Sequence, residues 1–326
     1  TSLDAMSAKL VGISLSVEPG RACYIPLAHK IGDPADQNSL DTTGREGTGS
    51  EQIPLQKALS LLKPLLEDPH ILKIGQNLKY DMVVLARSPY GINIHPIDDT
   101  MMMSFVLDAG RGSHGMDALS QLHLDIKPIA YKEVVGAGKR QLTFDQVSLE
   151  TACDYAAEDA DITLRLANFL GPRLVSEQMT TVYQTIERPL APVLAQMEQS
   201  GIAVDRDALA GLSENFESRI GALADDIYKL AGREFTIGSP KQLGEVLFDE
   251  MGLDGGRKTK TGAYGTGADV LEVLASQGYD LPARVLEWRK LSKLKSTYSD
   301  ALIGQINPGT GRVHTSYSMA GAATGR

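Results

Sequence analysis

The stretch Tyr155–Leu166, YAAEDADITLRL, carries an acid where a packed helix would be apolar. At 3.6 residues per turn, Ala152, Tyr155, Asp159, Ile162 and Leu166 fall within one narrow arc. Asp154, Glu158, Asp161 and Arg165 take the other side, where solvent accounts for them and Asp161 and Arg165 form an i,i+4 pair. Asp159 has no such account. An unpaired buried charge costs on the order of several kcal/mol, so its carboxylate must be neutralised, hydrogen-bonded or bound to a cation. Tyr155 lies one turn earlier on the same arc, which puts its hydroxyl beside whatever Asp159 faces. Two readings stay open on the pattern alone. Either the Asp caps a neighbouring loop and the Tyr is core, or the two share a site.

GQNLKYDMVVLAR, from Gly75, is the second informative stretch. Asn77 is placed to cap a helix running to about Arg87, with Leu78, Asp81 and Leu85 on one face. Asp81 is therefore another acid on an apolar stripe, again beside a tyrosine, Tyr80. Its structural alternative is a first-turn acid favoured by the helix dipole.

Composition narrows the class. The 326 residues allow two domains, and 42% hydrophobic with 22% charged residues is ordinary for a globular protein. No apolar run is long enough to span a bilayer, and no secretory signal opens the chain. Cys23 and Cys153 lack metal-ligand spacing, and the expected location is the reducing cytoplasm. The net charge of −9 argues against a protein that coats nucleic acid, yet it hides an asymmetry. Residues 284–326 hold Arg284, Arg289, Lys290, Lys293, Lys295, Arg312 and Arg326 against Glu287 and Asp300, a net +5 that leaves −14 elsewhere. One end is suited to phosphates and the other gathers carboxylates.

In chain order the pattern predicts a hairpin (Lys9–Val17, Ala22–Ala28), a polar mobile loop (Gly32–Gln52) and a helix (Gln56–Leu66) that Pro64 kinks or ends early. A short strand follows at Ile71–Ile74, then the Asn77 helix, then a helix capped by Asp98-Asp99-Thr100. Met101–Met103 reads as core filler rather than a cofactor box. A short helix covers Gly115–Leu124, and Ser148 caps the helix carrying Tyr155 and Asp159. Beyond a boundary near Gly171–Thr181 almost everything is helical. Glu187–Gln199 stops at Gly201; Asp205 caps a helix with an apolar series from Leu209 to Leu230; Ser239-Pro240 starts another. A Gly/Lys/Thr loop over Gly255–Gly267, a helix over Ala268–Ser276, a long basic helix over Ala283–Ile303 and a hairpin around Pro308–Gly311 complete the chain.

GQNLKYD at 75–81 and YAAEDAD at 155–161 resemble the second and third exonuclease motifs of the bacterial family A DNA polymerases, the DNA polymerase I family. SLDAMSAKLVGISL, GKRQLTF, SPKQLGEVLF, VLEWRKLSKLKSTYSD and INPGTGRVHTSYSMAGAATGR look like its successive landmarks, so the resemblance covers nearly the whole chain. It implies an α/β, RNase H-like 3′–5′ exonuclease domain over residues 1–175, followed over 176–326 by a mostly helical polymerase thumb and the start of the palm. By this resemblance Asp81 and Asp159 are two of four metal-binding carboxylates, and Tyr155 orients the attacking water. The implied cofactor is Mg²⁺ or Mn²⁺, two ions in the complete site, which activate water and stabilise the leaving oxygen. An Asp-only set suits these hard ions better than zinc.

Other positions carry over singly. Leu3 matches an apolar residue against the terminal base, Tyr131 an aromatic that wedges near the primer end, and Gln76 and Asn77 polar neighbours of the strand. Arg289 and Lys293 match thumb contacts to duplex phosphates, and Arg326 an arginine at the edge of the polymerase site. The implied partners are primer-template duplex and a single-stranded 3′ end, with dNTPs in the full-length protein. A cytoplasmic, nucleoid-associated bacterial monomer away from membranes is expected. The family's first exonuclease motif lies just ahead of the SLD that opens this chain, and its palm acids lie beyond Arg326. The expectation is thus an internal piece of a longer polymerase, catalytically silent by itself. The competing reading is a non-catalytic DNA-binding module of RNase H-like fold. A lone RNase D-type exonuclease does not explain the thumb motifs after residue 187.

Overall fold

The computed structural model describes residues 2–30, 52–258, 262, 264–322 and 324; Arg326 and the expected polar loop, apart from Gln52, lie outside the described residues. The chain divides into two compact units, Thr1–Gly201 with Thr315–Arg326, and Ile202–His314. The long helix of the first unit ends at Ser176, close to the expected boundary, but the segment through Gly201 remains part of that unit.

In the first unit, β1 (Gly12–Glu18) and β2 (Arg21–Pro26) form the expected antiparallel hairpin. Gly20, at φ 82°, supplies the left-handed residue that its tight turn needs. Helix α1 (Leu55–Leu66) runs through Pro64 without ending there. Strand β3 (Lys73–Gly75) pairs in parallel with β4 (Ile97–Asp99), and between them runs α2 (Leu78–Ala86). The chain continues through α3 (Thr100–Asp108), α4 (Met116–His123), the short α5 (Tyr131–Val135) and α6 (Leu149–Ser176). Ser148 Oγ caps α6 by accepting from the Thr151 N–H at 3.2 Å. Among the described residues the two strand pairs are separate sheets, and α6 packs on β1, β2 and β3. One core is built from Leu59, Leu62, Met82, Val83, Ile92 and Ile97, a second from Met102, Phe105, Leu119, Ile162, Leu166 and Leu170. Met102 and Met103 are buried there, as expected of core filler.

The start of α2 departs from expectation. Asn77 sits at the cap position in the left-handed region (φ 54°, ψ 44°), and its side chain makes no cap hydrogen bond. The cap comes from Asp99 instead. Its carboxylate accepts from the N–H groups of Asn77 (3.1 Å) and Leu78 (2.8 Å), and also from Met101 (2.9 Å) at the start of α3. One buried carboxylate thus satisfies the opening donors of two helices, which parallel pairing of β3 with β4 brings side by side. Asp99→Ala is expected to lower stability by about 2 kcal/mol, since each lost cap costs roughly 0.5–2. A urea midpoint unmoved in the variant would contradict the double cap.

Helix α7 (Thr180–Val182) passes through a wide-turned stretch, Tyr183–Glu187, into α8 (Arg188–Ser200), with Pro189 in its first turn and Gly201 as its stop. Helices α2 and α8 are joined by an ion pair between Lys79 (5% exposed) and Glu198 (6%). The Tyr317 N–H donates to Glu198 Oε1 at 2.7 Å, which fastens the returning segment to the same spot.

In the second unit, β5 (Ile202–Ala203) pairs antiparallel with β6 (Arg312–Val313). Asp205 caps α9 (Arg206–Ala231) by accepting from the Ala208 N–H, and Gly232 ends it at φ 75°. Then come α10 (Pro240–Gly244), α11 (Ala268–Ser276), α12 (Asp280–Lys293) and, after a wide turn over Leu294–Asp300, α13 (Ala301–Gln305). Its core holds Ile227, Leu243, Leu247, Leu271, Leu281 and Val285. The apolar series of α9 is only partly used: Leu223 and Ile227 are buried, whereas Leu212 and Leu230 are exposed. Helix α12 packs against α9, the longer of the two.

Candidate functional site

The face predicted for α6 is the one that packs. Ala152, Ile162 and Leu166 are fully buried, while Tyr155 and Asp159 lie half-buried at its edge. Asp159 Oδ1 is out of contact with solvent and has no hydrogen-bond partner. Burial pushes the Asp159 carboxyl up from 3.8 to about 7, against the lowering effect of a hydrogen bond from Tyr155; the charges of Glu158 and Asp117 add to the rise. The Tyr155 phenol is itself raised, first by burial and then by Asp159. The opposite side of α6 is less solvated than its pattern implied. Glu158 accepts from the Ile129 N–H at 2.7 Å, and Asp161 binds both Arg165 and the Gly20 N–H in the hairpin turn.

Asp81 is not the buried acid its spacing predicted. Leu78 and Leu85 are buried, but Asp81, at the margin of their arc, keeps more than a third of its surface. Desolvation by the protein around it pushes its carboxyl up from 3.8 to about 7, with Asp99 as the further cause. Asp81 and Asp159 therefore share a perturbation but feel different neighbours, and neither figures among the charges that act on the other. Among the described residues no three Asp, Glu, His or Cys side chains converge on one point.

Tyr131 links the two halves. Its ring lies 6.0 Å from that of Tyr155, and its phenol acts electrostatically on both Tyr155 and Tyr80, the neighbour of Asp81. Tyr131 is 47% exposed. The Tyr80 hydroxyl donates to the Ser2 carbonyl, next to Leu3, whose side chain is 100% exposed. Gln76 is occupied within the protein: Nε2 donates to the His114 carbonyl at 2.8 Å and Oε1 accepts from Thr100 at 2.5 Å. Asn77 is exposed.

On the basic helix the expected pair is unequal. Arg289 is partly buried and donates to the Thr266 carbonyl at 2.6 Å, and burial lowers its pKa. Lys293 is exposed, as is Lys290, which the motif comparison had not singled out. Lys295 is committed to Glu217 and Asp300, and Arg284 lies 3.7 Å from Glu287.

Residues 1–175 match the family of 3′–5′ exonuclease domains. The chain belongs to that 3′–5′ exonuclease family. Residues 206–326 match DNA polymerase family A. The exonuclease match bears out the expected fold class, an RNase H-like domain followed by a helical region. Among curated relatives, DNA polymerase I of Rhizobium leguminosarum is 52% identical over 100% of this chain and 32% of its own length. DNA polymerase I of Pseudomonas aeruginosa is 45% identical over 100% of this chain and 34% of its own. The chain thus spans about a third of the length of these relatives. The solved POL domain of Pol1 from M. smegmatis, in complex with DNA primer-template and dNTP, superimposes with a TM-score of 0.69 at 30% identity, covering 85% of this exonuclease-family chain and 44% of that one.

Proposed function

We propose that this chain is part of a DNA polymerase I-type enzyme of the bacterial cytoplasm, acting as a monomer in replication and repair. In this reading the enzyme couples template-directed synthesis from dNTPs to 3′–5′ proofreading, with Asp81, Tyr155 and Asp159 in the exonuclease site. The observation that carries the exonuclease assignment is Asp159 Oδ1, a buried carboxylate oxygen with nothing to bind it. Two oxygen-only side chains with raised pKa values suit a hard divalent cation in kind, and Asp81 and Asp159 would hold it. Bound there, Mg²⁺ or Mn²⁺ supplies an activated water and stabilises the leaving oxygen.

The chain's own residues do the rest. Both carboxyls shed protons near neutrality, so cation and proton compete for them. Tyr155 stays protonated one turn before Asp159, where its phenol and that carboxyl act on each other. Tyr131, half-exposed, offers its ring to a base, an interaction worth ~1–3 kcal/mol per base, and Leu3 offers apolar contact beside Tyr80. No helix among the described residues is long and apolar enough to cross a membrane.

Stability tests the metal assignment. The Asp159 carboxyl binds its proton more tightly folded than unfolded, so its contribution is most favourable below pH 4 and declines as pH rises through about 7. Asp159→Asn should therefore stabilise the metal-free chain at pH 8, by about 1–2 kcal/mol after allowance for solvent access, and give no gain at pH 4. Mn²⁺ at a hundredfold excess over its Kd should stabilise the unaltered chain by about 2–3 kcal/mol and leave Asp159→Asn unmoved. Equal Mn²⁺ shifts in thermal melts of the two proteins would remove Asp159 from the metal site.

For the second unit, Lys290 and Lys293, both exposed on α12, are the groups that suit phosphate in this reading. Replacing Lys293 by Ala should lower the salt dependence of duplex binding by about 0.9 in log–log slope. Titrations at several salt concentrations that give one slope for both proteins would show that Lys293 touches no phosphate.

A further inference from the structure

Phe144 was given no role by sequence, yet four rings meet it. It stacks nearly parallel on Tyr131, with centroids 6.4 Å apart and planes 19° apart. Tyr155 lies 5.9 Å away at 60°, His29 5.8 Å away at 57°, and Tyr24 6.5 Å away edge-on. Tyr131 and Tyr155 also touch each other, so three rings form a closed triangle.

The wall behind Phe144 is fixed. His29 is buried; its Nε2 shares a 2.7 Å hydrogen bond with the Tyr24 hydroxyl, and its Nδ1 lies 3.2 Å from the Val147 carbonyl. Gln52 clasps the His29 backbone through two 2.8 Å bonds. Tyr24 packs so closely over Gly12 that a Cβ there would meet its hydroxyl at 2.2 Å. Phe144 itself opens a 3₁₀ turn closed by the reciprocal bonds of Thr143 and Gln146. Tyr131 is held differently, on a five-residue helix with half its side chain in solvent. A half-exposed ring swings about χ1 unless a neighbouring ring limits the swing. Phe144, nearly parallel to Tyr131 and offset from it, is that neighbour, and it is also in contact with Tyr155.

We propose that Phe144 is a positioning residue: it sets the plane of Tyr131 against that of Tyr155, and thereby seats the terminal base of a single strand beside Asp159. The proposal rests on the reading of Tyr131 and Tyr155 given above. An apolar core residue would serve packing alone, and any side chain of similar volume would replace it. A positioning ring has to be flat.

The test uses the full chain in EDTA, with a single-stranded oligonucleotide carrying 2-aminopurine at its 3′ end and a second carrying it at an internal position. At saturation, stacking on Tyr131 quenches the terminal probe more than the internal one, and Tyr131→Ala abolishes the difference. Phe144→Leu keeps the volume and removes the plane; it should reduce the terminal quench at least about threefold, whereas Phe144→Tyr retains it. Thermal melts run alongside report packing. Should Phe144→Leu not fold, Thr143→Ala, which loosens the turn holding the ring, replaces it with the same expected direction. A terminal quench lost in Tyr131→Ala but intact in the folded Phe144→Leu or Thr143→Ala chain overturns the positioning role. A quench intact in Tyr131→Ala overturns the underlying reading of Tyr131 instead.

Discussion

Asp159→Ala is expected to slow removal of nucleotides from a 3′ end by at least about 10³-fold, the scale on which enzymes lose rate when a charge-stabilising group is removed. The measurement is digestion of a 5′-labelled single strand with Mg²⁺, in a protein of the relatives' full length that carries these residues. Asp81→Ala should act similarly, because both carboxyls are perturbed by enclosure and both would hold the cation. Tyr155→Phe should cost less, about 10²-fold at most, because the phenol stands beside the cation-holding carboxylate and is not itself one. Single-strand digestion by Asp159→Ala at the unaltered rate would end the proofreading assignment. Equal losses in Tyr155→Phe and Asp159→Ala would instead make Tyr155 part of the reaction itself.

Glu198→Ala is expected to destabilise the first unit by about 3–5 kcal/mol, the cost of leaving one partner of a buried ion pair alone. Lys79 would remain 5% exposed with its charge uncompensated, and the Tyr317 N–H would lose its acceptor. The cost comes from desolvation and not from any large net attraction between the two groups. Replacing both residues by Met should therefore recover most of the loss, leaving a deficit of about 1 kcal/mol for the unpaired N–H. Urea unfolding followed by far-UV circular dichroism checks both statements. A single variant as stable as the parent would mean that water relieves the stranded lysine.

The long helices and the second unit's order were legible because their signals are local: a capping side chain, a period of 3.6, a glycine stop. Ser148, Asp205 and Gly232 each do what the pattern says. Asp159 was legible for a related reason, since one acid on an apolar arc is visible without any partner. Asp81 was read correctly as unusual but wrongly as buried, because it lies at the margin of the Leu78–Leu85 arc, where period alone does not decide which way a residue faces. The cap of α3 by Asp99 was read from the sequence, but its second cap, on α2, and the ring contacts of Phe144 were not. Each depends on two segments more than ten residues apart meeting in space, and nothing in either segment names the other. Arg289 shows the same limit in reverse: its motif points to phosphate, while its guanidinium bonds Thr266, 23 residues earlier.

The discontinuity of the first unit has a bearing on the order in which the chain is made. Residues after Thr315 belong to it, and the whole of Ile202–His314 is translated before they exist. At roughly 5–20 residues per second, that delay is roughly ten seconds. Throughout it, Glu198 lacks the backbone donor that Tyr317 later supplies. The second unit is uninterrupted in sequence, so on a growing chain His314, its last residue, emerges before the segment that returns to the exonuclease-family unit.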